Sequence, residues 1–129
     1  MQFLADTVAI VRHFANVGKI GKAAKLILQD ADSGKNTILI SIISIVEILY
    51  LSERNKIPLE FEDVRRKLLP LDNYRIVDLD FDIVETAKTV QGLELHDRLI
   101  VSTSLSLKVP ILTSDQIIKD SGQVDVIWK

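Results

Sequence analysis

The sequence contains no cysteine among its 129 residues. This absence excludes disulfide bonds, thiolate metal sites and cysteine nucleophiles, and it is compatible with a cytoplasmic protein. Aromatic residues are also scarce, at 5%, whereas apolar residues make up 47%. The core is therefore expected to consist of Ile, Leu and Val, a composition that suits buried parallel strands covered by helices.

The sequence also lacks a long apolar run. The longest run, Ile38–Tyr50, is interrupted by Ser41 and Glu47 and is shorter than the ~20 residues of a membrane-spanning helix. Asp6 and Arg12 break the apolar stretch at the N-terminus, so no signal peptide is predicted. These absences favour a soluble protein of the cytoplasm that does not enter a membrane.

Charge of one sign does not dominate the sequence, because the formal net charge is only −2. A general attraction for nucleic acid is therefore not expected, and any such binding would need a local basic patch. The length is that of one domain with a sizeable core, so residues 1–129 are expected to form a single domain.

Short apolar segments alternate with amphipathic ones along the chain. Helices are predicted at about 8–14, 22–31, 44–54, 60–69, 81–90, 97–107 and 116–119. Strands are predicted at Gln2–Ala5, Thr37–Ile40, Arg75–Leu79, Val109–Leu112 and Val124–Ile127. This alternation predicts an α/β fold of three layers, α/β/α, with a central parallel sheet of four to five strands.

Acidic residues stand where these strands end or where the next helix starts. In a parallel sheet covered by helices, the carboxyl ends of the strands gather polar groups at one edge. Asp6 directly follows the first strand, and Asp97 opens a helix that leads into the fourth. The acids expected at this edge are Asp6, Glu47, Asp97 and Asp115.

Each acid also has an ordinary structural explanation. Asp6 and Asp115 could be helix N-caps, and Ser44 with Glu47 fits a capping box. Asp97 could complement a helix dipole. Taken singly, these explanations are favoured, but four carboxylates brought together repel one another and resist joint ionisation.

A divalent cation would relieve that repulsion. Oxygen ligands without cysteine or paired histidines point to Mg²⁺ or Mn²⁺ in preference to zinc. Such an ion activates water and stabilises a leaving oxygen, so phosphodiester hydrolysis is the chemistry expected of the site.

Four segments resemble the motifs of PIN domains, and in particular those of VapC-like ribonuclease toxins of toxin–antitoxin pairs. The segments keep the order and spacing of the family over almost the whole chain: Leu4–Thr7, Ser41–Glu47, His96–Thr103 and Ile111–Asp115. The resemblance implies endonucleolytic cleavage of RNA with Mg²⁺ or Mn²⁺, a homodimer and an antitoxin partner. It also implies that the ion is bound by Asp6, Glu47, Asp97 and Asp115.

The sequence differs from the family motifs at two positions and carries hydroxyl groups beside the acids. Many members carry asparagine where Val8 stands, and many carry a second aspartate near the third motif, where Glu94 is a possible outer ligand here. Hydroxyl groups expected to support the acids are those of Thr7, Ser44, Thr113 and Ser114.

A weaker prediction concerns RNA contacts. Lys19, Lys22 and Lys25 could follow an RNA backbone, although a solvated helix face is the preferred interpretation. Arg98 could touch phosphate, but a structural contact is favoured. Trp128 is expected to anchor the final strand in preference to stacking on a base.

Two other functions remain open on the sequence. Aspartates also gather at strand ends in receiver-like and aspartate-based phosphatase domains, although a lysine after the final strand and a phosphoacceptor aspartate are not recognised here. A non-catalytic interaction module, with the acids serving as caps, is the third alternative.

Overall fold

The computed structural model describes residues 1–70 and 72–129. Within these residues the strands are β1 (Gln2–Ala5), β2 (Thr37–Ser41), β3 (Tyr74–Val77), β4 (Ile111–Leu112) and β5 (Val126–Ile127). The helices described there are α1 (Thr7–Ala15), α2 (Lys22–Asp32), α3 (Ile42–Glu53), α4 (Phe61–Leu68), α5 (Phe81–Ala87), α6 (Leu95–Leu107) and α7 (Gln116–Ser121).

The strands form one sheet in the order β3-β2-β1-β4-β5. All neighbouring pairs are parallel, with Phe3 opposite Ile38 and Leu4 opposite Ile111. From β1 the chain builds β2 and β3 on one side and later β4 and β5 on the other. The strand order thus reverses beside β1, which leaves a crevice beyond the carboxyl ends of β1 and β4. The predicted α/β fold with a parallel sheet is confirmed.

Alternate residues of the central strands enter cores on opposite faces of the sheet. Phe3 and Ala5 belong to a large cluster that includes residues of the first four helices. Leu4, which lies between them, packs instead with Ile100 of α6. Both faces of β1 are covered by helices, so the ends of this strand are fixed in position by the core.

The start of α3 differs from the sequence prediction. The helix begins at Ile42 directly after β2, and the Ser41 hydroxyl caps it by accepting the Ile43 N–H at 3.1 Å. The predicted start at Ser44 is therefore wrong, and so is the alternative explanation of Ser44 and Glu47 as a capping box. Both residues lie inside the helix, and their side chains are available for contacts across the sheet edge.

The start of α6 also differs from the prediction. The helix begins at Leu95 instead of Asp97, because Glu94 is its N-cap and Glu94 Oε1 accepts the Asp97 N–H at 2.9 Å. The last two strands are shorter than predicted, since β4 begins at Ile111 and β5 at Val126.

Among the helices of residues 1–70 and 72–129, none combines the length and the apolar character that crossing a bilayer requires.

Candidate functional site

The crevice at the carboxyl ends of β1 and β4 is organised by a buried carboxylate. Asp6 follows β1, is only 9% exposed, and caps α1 by accepting the Ala9 N–H on Oδ1 at 2.8 Å. Its other oxygen, Oδ2, accepts a hydrogen bond from the Thr113 hydroxyl just after β4. One side chain therefore serves as a cap and also joins the two central strands.

The pKa of Asp6 is raised above its usual range. Burial is the largest cause, because it removes the carboxylate from water. The hydrogen bonds from Thr113 and from the Ala9 N–H act in the opposite direction, and the negative charges of Asp115 and Glu47 raise the pKa further. Asp6 thus lies in the electrostatic field of two acids from distant parts of the sequence.

Glu47 reaches the crevice from α3. The Thr7 hydroxyl lies 2.9 Å from Glu47 Oε1, to which it donates, and 2.9 Å from the hydroxyl of buried Ser44. Ser44 and Glu47 are three residues apart on α3 and so share one face of that helix. The hydroxyls predicted to support this acid, those of Thr7 and Ser44, are in contact with each other beside it.

Asp115 is held in place at the start of α7 and by Thr113, the residue that also contacts Asp6. Its Oδ1 accepts the N–H groups of Ile117 at 2.8 Å and Ile118 at 3.2 Å, so it is the N-cap of α7. Its own backbone N–H donates to the Thr113 hydroxyl oxygen at 3.1 Å. Because Thr113 also donates to Asp6, a single hydroxyl links both acids, while neighbouring Ser114 is exposed.

Asp97 has the clearest electrostatic signature of the site. Partial burial and then the negative charges of Asp115, Glu94, Glu47 and Asp6 raise the pKa of Asp97 to about 6. Its carboxylate accepts no hydrogen bond from any residue in the described part of the chain. The four acids predicted to meet at this edge therefore influence one another, although they come from four separate segments.

The acids of the crevice do not form a preformed metal-binding site in this structure. Within residues 1–70 and 72–129, no three acidic or histidine side chains are arranged so that they could by themselves hold a metal ion. His96, on the first turn of α6, places Nδ1 3.8 Å from Glu47 Oε2 and is half exposed. No local pattern indicates this pairing, because the two residues are distant along the chain.

The residues predicted to contact RNA lie in different surroundings. Lys19, Lys22 and Lys25 are exposed, the last two on α2. Arg98 is partly buried, and its Nε donates to the Ala87 carbonyl at 2.8 Å, so it connects α6 to the end of α5. That contact is the structural role favoured by the sequence.

A second group of side chains lies beside the acids. A cavity of about 300 Å³ is lined by residues that follow β4, by Lys119 of α7 and by the end of β5 with Trp128. Sequence reasoning missed this cavity, because the residues come from two strands whose adjacency only the sheet order reveals.

Solved structures share this fold at low sequence identity. A chain of the DNA-bound VapBC2 from Rickettsia felis matches with a TM-score of 0.72 and 16% identity, and 100% of each chain is covered. A chain of a Klebsiella pneumoniae toxin–antitoxin complex matches with a TM-score of 0.66 and 20% identity, over 96% of this chain and 94% of that one. VapC20 of Mycobacterium tuberculosis, a toxin that cleaves the sarcin-ricin loop, matches with a TM-score of 0.68 and 14% identity, over 96% and 98% of the chains.

Sequence comparison gives the family. No curated protein matches the sequence. The model of the PIN domain family matches residues 3–122, which is nearly the whole chain. This match argues against the receiver-like and phosphatase alternatives. The chain belongs to the PIN domain family, and its fold is that of VapC-like toxins.

Proposed function

We propose that this PIN-domain protein is a Mg²⁺- or Mn²⁺-dependent endoribonuclease that hydrolyses RNA phosphodiester bonds, and that it is the toxin of a toxin–antitoxin pair. The observation that carries the proposal is the convergence of acids in the crevice between β1 and β4. Asp97 lies in the field of Asp6, Glu47 and Asp115. Acids from separate segments that share a crevice, at a cost in repulsion, are typical of a cation site.

The side chains present suit a hard divalent cation. The candidate ligands Asp6, Glu47, Asp97 and Asp115 offer only oxygen atoms, which Mg²⁺ and Mn²⁺ prefer. Glu94 caps α6 and raises the pKa of Asp97, so it fits the role of an outer ligand. When bound, such an ion supplies an activated water and stabilises the leaving oxygen of a phosphodiester.

The hydroxyl groups of the crevice would orient the carboxylates. Thr113 fixes Asp6 and Thr7 fixes Glu47 through hydrogen bonds whose donors are themselves buried. A carboxylate that is held in one orientation loses less conformational entropy when it binds a ligand. Ser44 supports Thr7 from behind, and exposed Ser114 would face the substrate side of the edge.

The proposed partners follow from the function. Two of the similar solved structures are toxin–antitoxin assemblies, and an antitoxin partner in the cytoplasm is proposed for this chain as well. A homodimer is supported by apolar side chains left exposed on the helices, among them Tyr50 at 55% and Phe81 at 75%.

Residues 1–129 are proposed to act as one domain. Lys19, Lys22 and Lys25 are the proposed contacts to the RNA backbone, and Arg98 is a weaker one.

RNA cleavage by the purified protein tests the function directly. Cleavage of single-stranded RNA should need Mg²⁺ or Mn²⁺ and should be abolished in Asp97→Asn. Asp125→Asn is the matched control, because Asp125 is exposed and lies at the opposite, amino edge of the sheet just before β5. Metal-independent cleavage, or full activity in Asp97→Asn, would contradict the proposal.

A non-catalytic PIN module is the second candidate. It is favoured by one observation, namely that no three of the described acidic or histidine side chains form a ready-made metal site. This candidate predicts that Mn²⁺ does not stabilise the protein and that RNA stays intact while a partner protein still binds. Thermal denaturation with and without Mn²⁺ separates it from the nuclease.

A further inference from the structure

The cavity beside the acids differs from them in charge. Its wall contains one acid, Asp115, and two lysines, Lys119 and Lys129. Among the residues that the structure describes, neither lysine forms a salt bridge with a carboxylate. Two of the side chains that line the cavity are therefore cationic and one is acidic, whereas the charged groups of the neighbouring crevice are mainly carboxylates.

Asp115 belongs both to the acidic crevice and to the cavity beside it. It raises the pKa of Asp6 and of Asp97 through its charge, and it also forms part of the cavity wall together with Thr113. The cavity is thus continuous with the proposed site of cleavage. A polymer passing through the crevice would place its next unit in this cavity.

An aromatic residue, Trp128, is among the residues that line the cavity. Trp128 follows β5, and its carbonyl oxygen accepts the Ala24 N–H at 3.1 Å, which ties the start of α2 to the sheet edge. Its indole lies against Gly21, where an added Cβ would stand only 2.8 Å from Cδ1. The expected anchoring role of Trp128 is therefore present: its partly buried side chain packs against the core, and the residue also lines the cavity.

We propose that this cavity is a subsite for one nucleotide of a single-stranded RNA, next to the bond that is cleaved. The base would stack on Trp128, and the adjoining phosphate would meet Lys119. The inference rests on the proposed function, since it assigns a substrate subsite to that same crevice. An aromatic side chain beside a cation is the combination that binds single-stranded nucleic acid without strict sequence preference.

The dimensions and charge favour a nucleotide over a protein segment. A volume of about 300 Å³ is at the lower end of the ~300–1,000 Å³ typical of small-ligand pockets, which suits one nucleotide better than a folded partner. The lysine side chains complement phosphate. A peptide of an antitoxin is the alternative occupant that the experiment must distinguish.

Tryptophan fluorescence gives a direct readout, because Trp128 is the single tryptophan of the sequence. A single-stranded RNA oligonucleotide is titrated into the whole protein with a chelator present, so that cleavage does not take place. Stacking predicts saturable quenching with the same Kd as that from the anisotropy of a labelled oligonucleotide. RNA binding without quenching would overturn the subsite.

Substitutions separate the two contacts. Trp128→Leu should weaken RNA binding by about tenfold or more, and Trp128→Phe should retain most of the affinity, because stacking contributes ~1–3 kcal/mol per base. Lys119→Gln should reduce the slope of log Kd against log salt by about 0.7, the value for one phosphate of a single strand. Lys56→Gln is the control, since Lys56 is exposed and lies in the turn after α3.

The outcomes distinguish this inference from the proposed function. Cleavage that persists with normal KM in Trp128→Leu and Lys119→Gln would contradict the subsite and would still support the proposed nuclease function. Saturable quenching by RNA without any metal-dependent cleavage would support the subsite and contradict the proposed nuclease function. Quenching by an antitoxin segment but not by RNA assigns the cavity to a protein partner and overturns the inference. Circular dichroism shows whether Trp128→Leu folds. If it does not fold, the subsite is tested by the fluorescence quenching and by the RNA affinities of Trp128→Phe and Lys119→Gln.

Discussion

The Thr113 hydroxyl donates a hydrogen bond to Asp6 Oδ2, although the two residues are 107 positions apart in the sequence. The same hydroxyl accepts the backbone N–H of Asp115 at 3.1 Å. Thr113 is therefore the point at which β1, β4 and the cap of α7 are joined.

Thr113→Val should destabilise the protein by about 1–3 kcal/mol, because it removes a donor from a buried carboxylate while keeping the shape of the side chain. The pKa of Asp6 should rise further, since the lost hydrogen bond is one of the contacts that lower it. Urea denaturation gives the stability, and NMR titration of the carboxyl carbons gives the pKa.

Thr103→Val is the matched control for that change. Thr103 and Thr113 are both 1% exposed, but the Thr103 hydroxyl donates at 2.8 Å to the Leu99 carbonyl inside α6. Loss of this second bond to a helical carbonyl should cost less than the loss at Asp6. Equal losses in the two variants would show that Thr113 has no special role in holding Asp6.

Asp97→Asn should abolish cleavage and leave the metal-free protein at least as stable as the parent. The reason is that partial burial, and then the negative charges of four acids, raise the pKa of Asp97, so its ionised form is disfavoured in the folded state. A neutral amide avoids both costs. Urea denaturation in the presence of a chelator measures the stability. A clear loss of stability, with cleavage retained, would support a purely structural role.

The stability of the metal-free protein should fall as pH rises from about 4 to about 6. The pKa of Asp97 is about 6 in the folded protein against an unperturbed 3.8, so the folded state binds more protons than the unfolded state in this interval. This contribution is fully present below pH 3.8 and is lost as pH rises through 6. Asp6, whose pKa is also raised, acts with the same sign.

Thermal denaturation across this pH range checks the prediction. Asp97→Asn should flatten the slope, whereas Asp125→Asn should leave it unchanged. Mn²⁺ should stabilise the parent most at the upper end of the range, because the ion and the proton compete for the same carboxylates. A parent protein whose stability is level from pH 4 to 6 would contradict the electrostatic description of the site.

Gly21→Ala should destabilise the contact between α2 and β5 by about 1–3 kcal/mol, the usual cost of overpacking. An added Cβ would stand 2.0 Å from the Trp128 carbonyl oxygen, which cannot move without breaking the bond to Ala24. The emission of Trp128 should also change. In Gly92→Ala an added Cβ meets nothing within 4 Å, so this control should bear only the strain of its positive φ and should keep the parental emission.

Sequence pattern was sufficient for the order of the elements and failed at their starts. The prediction placed the start of α3 at Ser44, but the helix begins at Ile42 and Ser41 at the end of β2 caps it. A strand that passes directly into a helix gives no loop residues to mark the change. The start of α6 was missed for a different reason, because Glu94 is not among the residue types preferred at an N-cap.

The acids themselves could be selected from the sequence, because each stands near the start of a helix, although Glu47 lies inside α3 and not in its first turn. Their partners could not. The contact of Thr7 with Ser44 and Glu47, and of His96 with Glu47, crosses between elements that are distant along the chain. The cavity at Trp128 depends on β5 lying beside β4, which no local pattern indicates.

Alternation of short aliphatic segments with amphipathic ones determined, without any coordinates, that the chain forms a parallel α/β sheet, and it predicted that the acids gather at one edge. Local periodicity carries that information because it records which side of each element must be buried. Only the tertiary structure decided that β1 and β4 are neighbours, that one threonine hydroxyl joins Asp6 to Asp115, and that Asp97 lies within the field of the other acids. Distances between separate elements are set by how the whole core packs, and no short stretch of sequence encodes that packing.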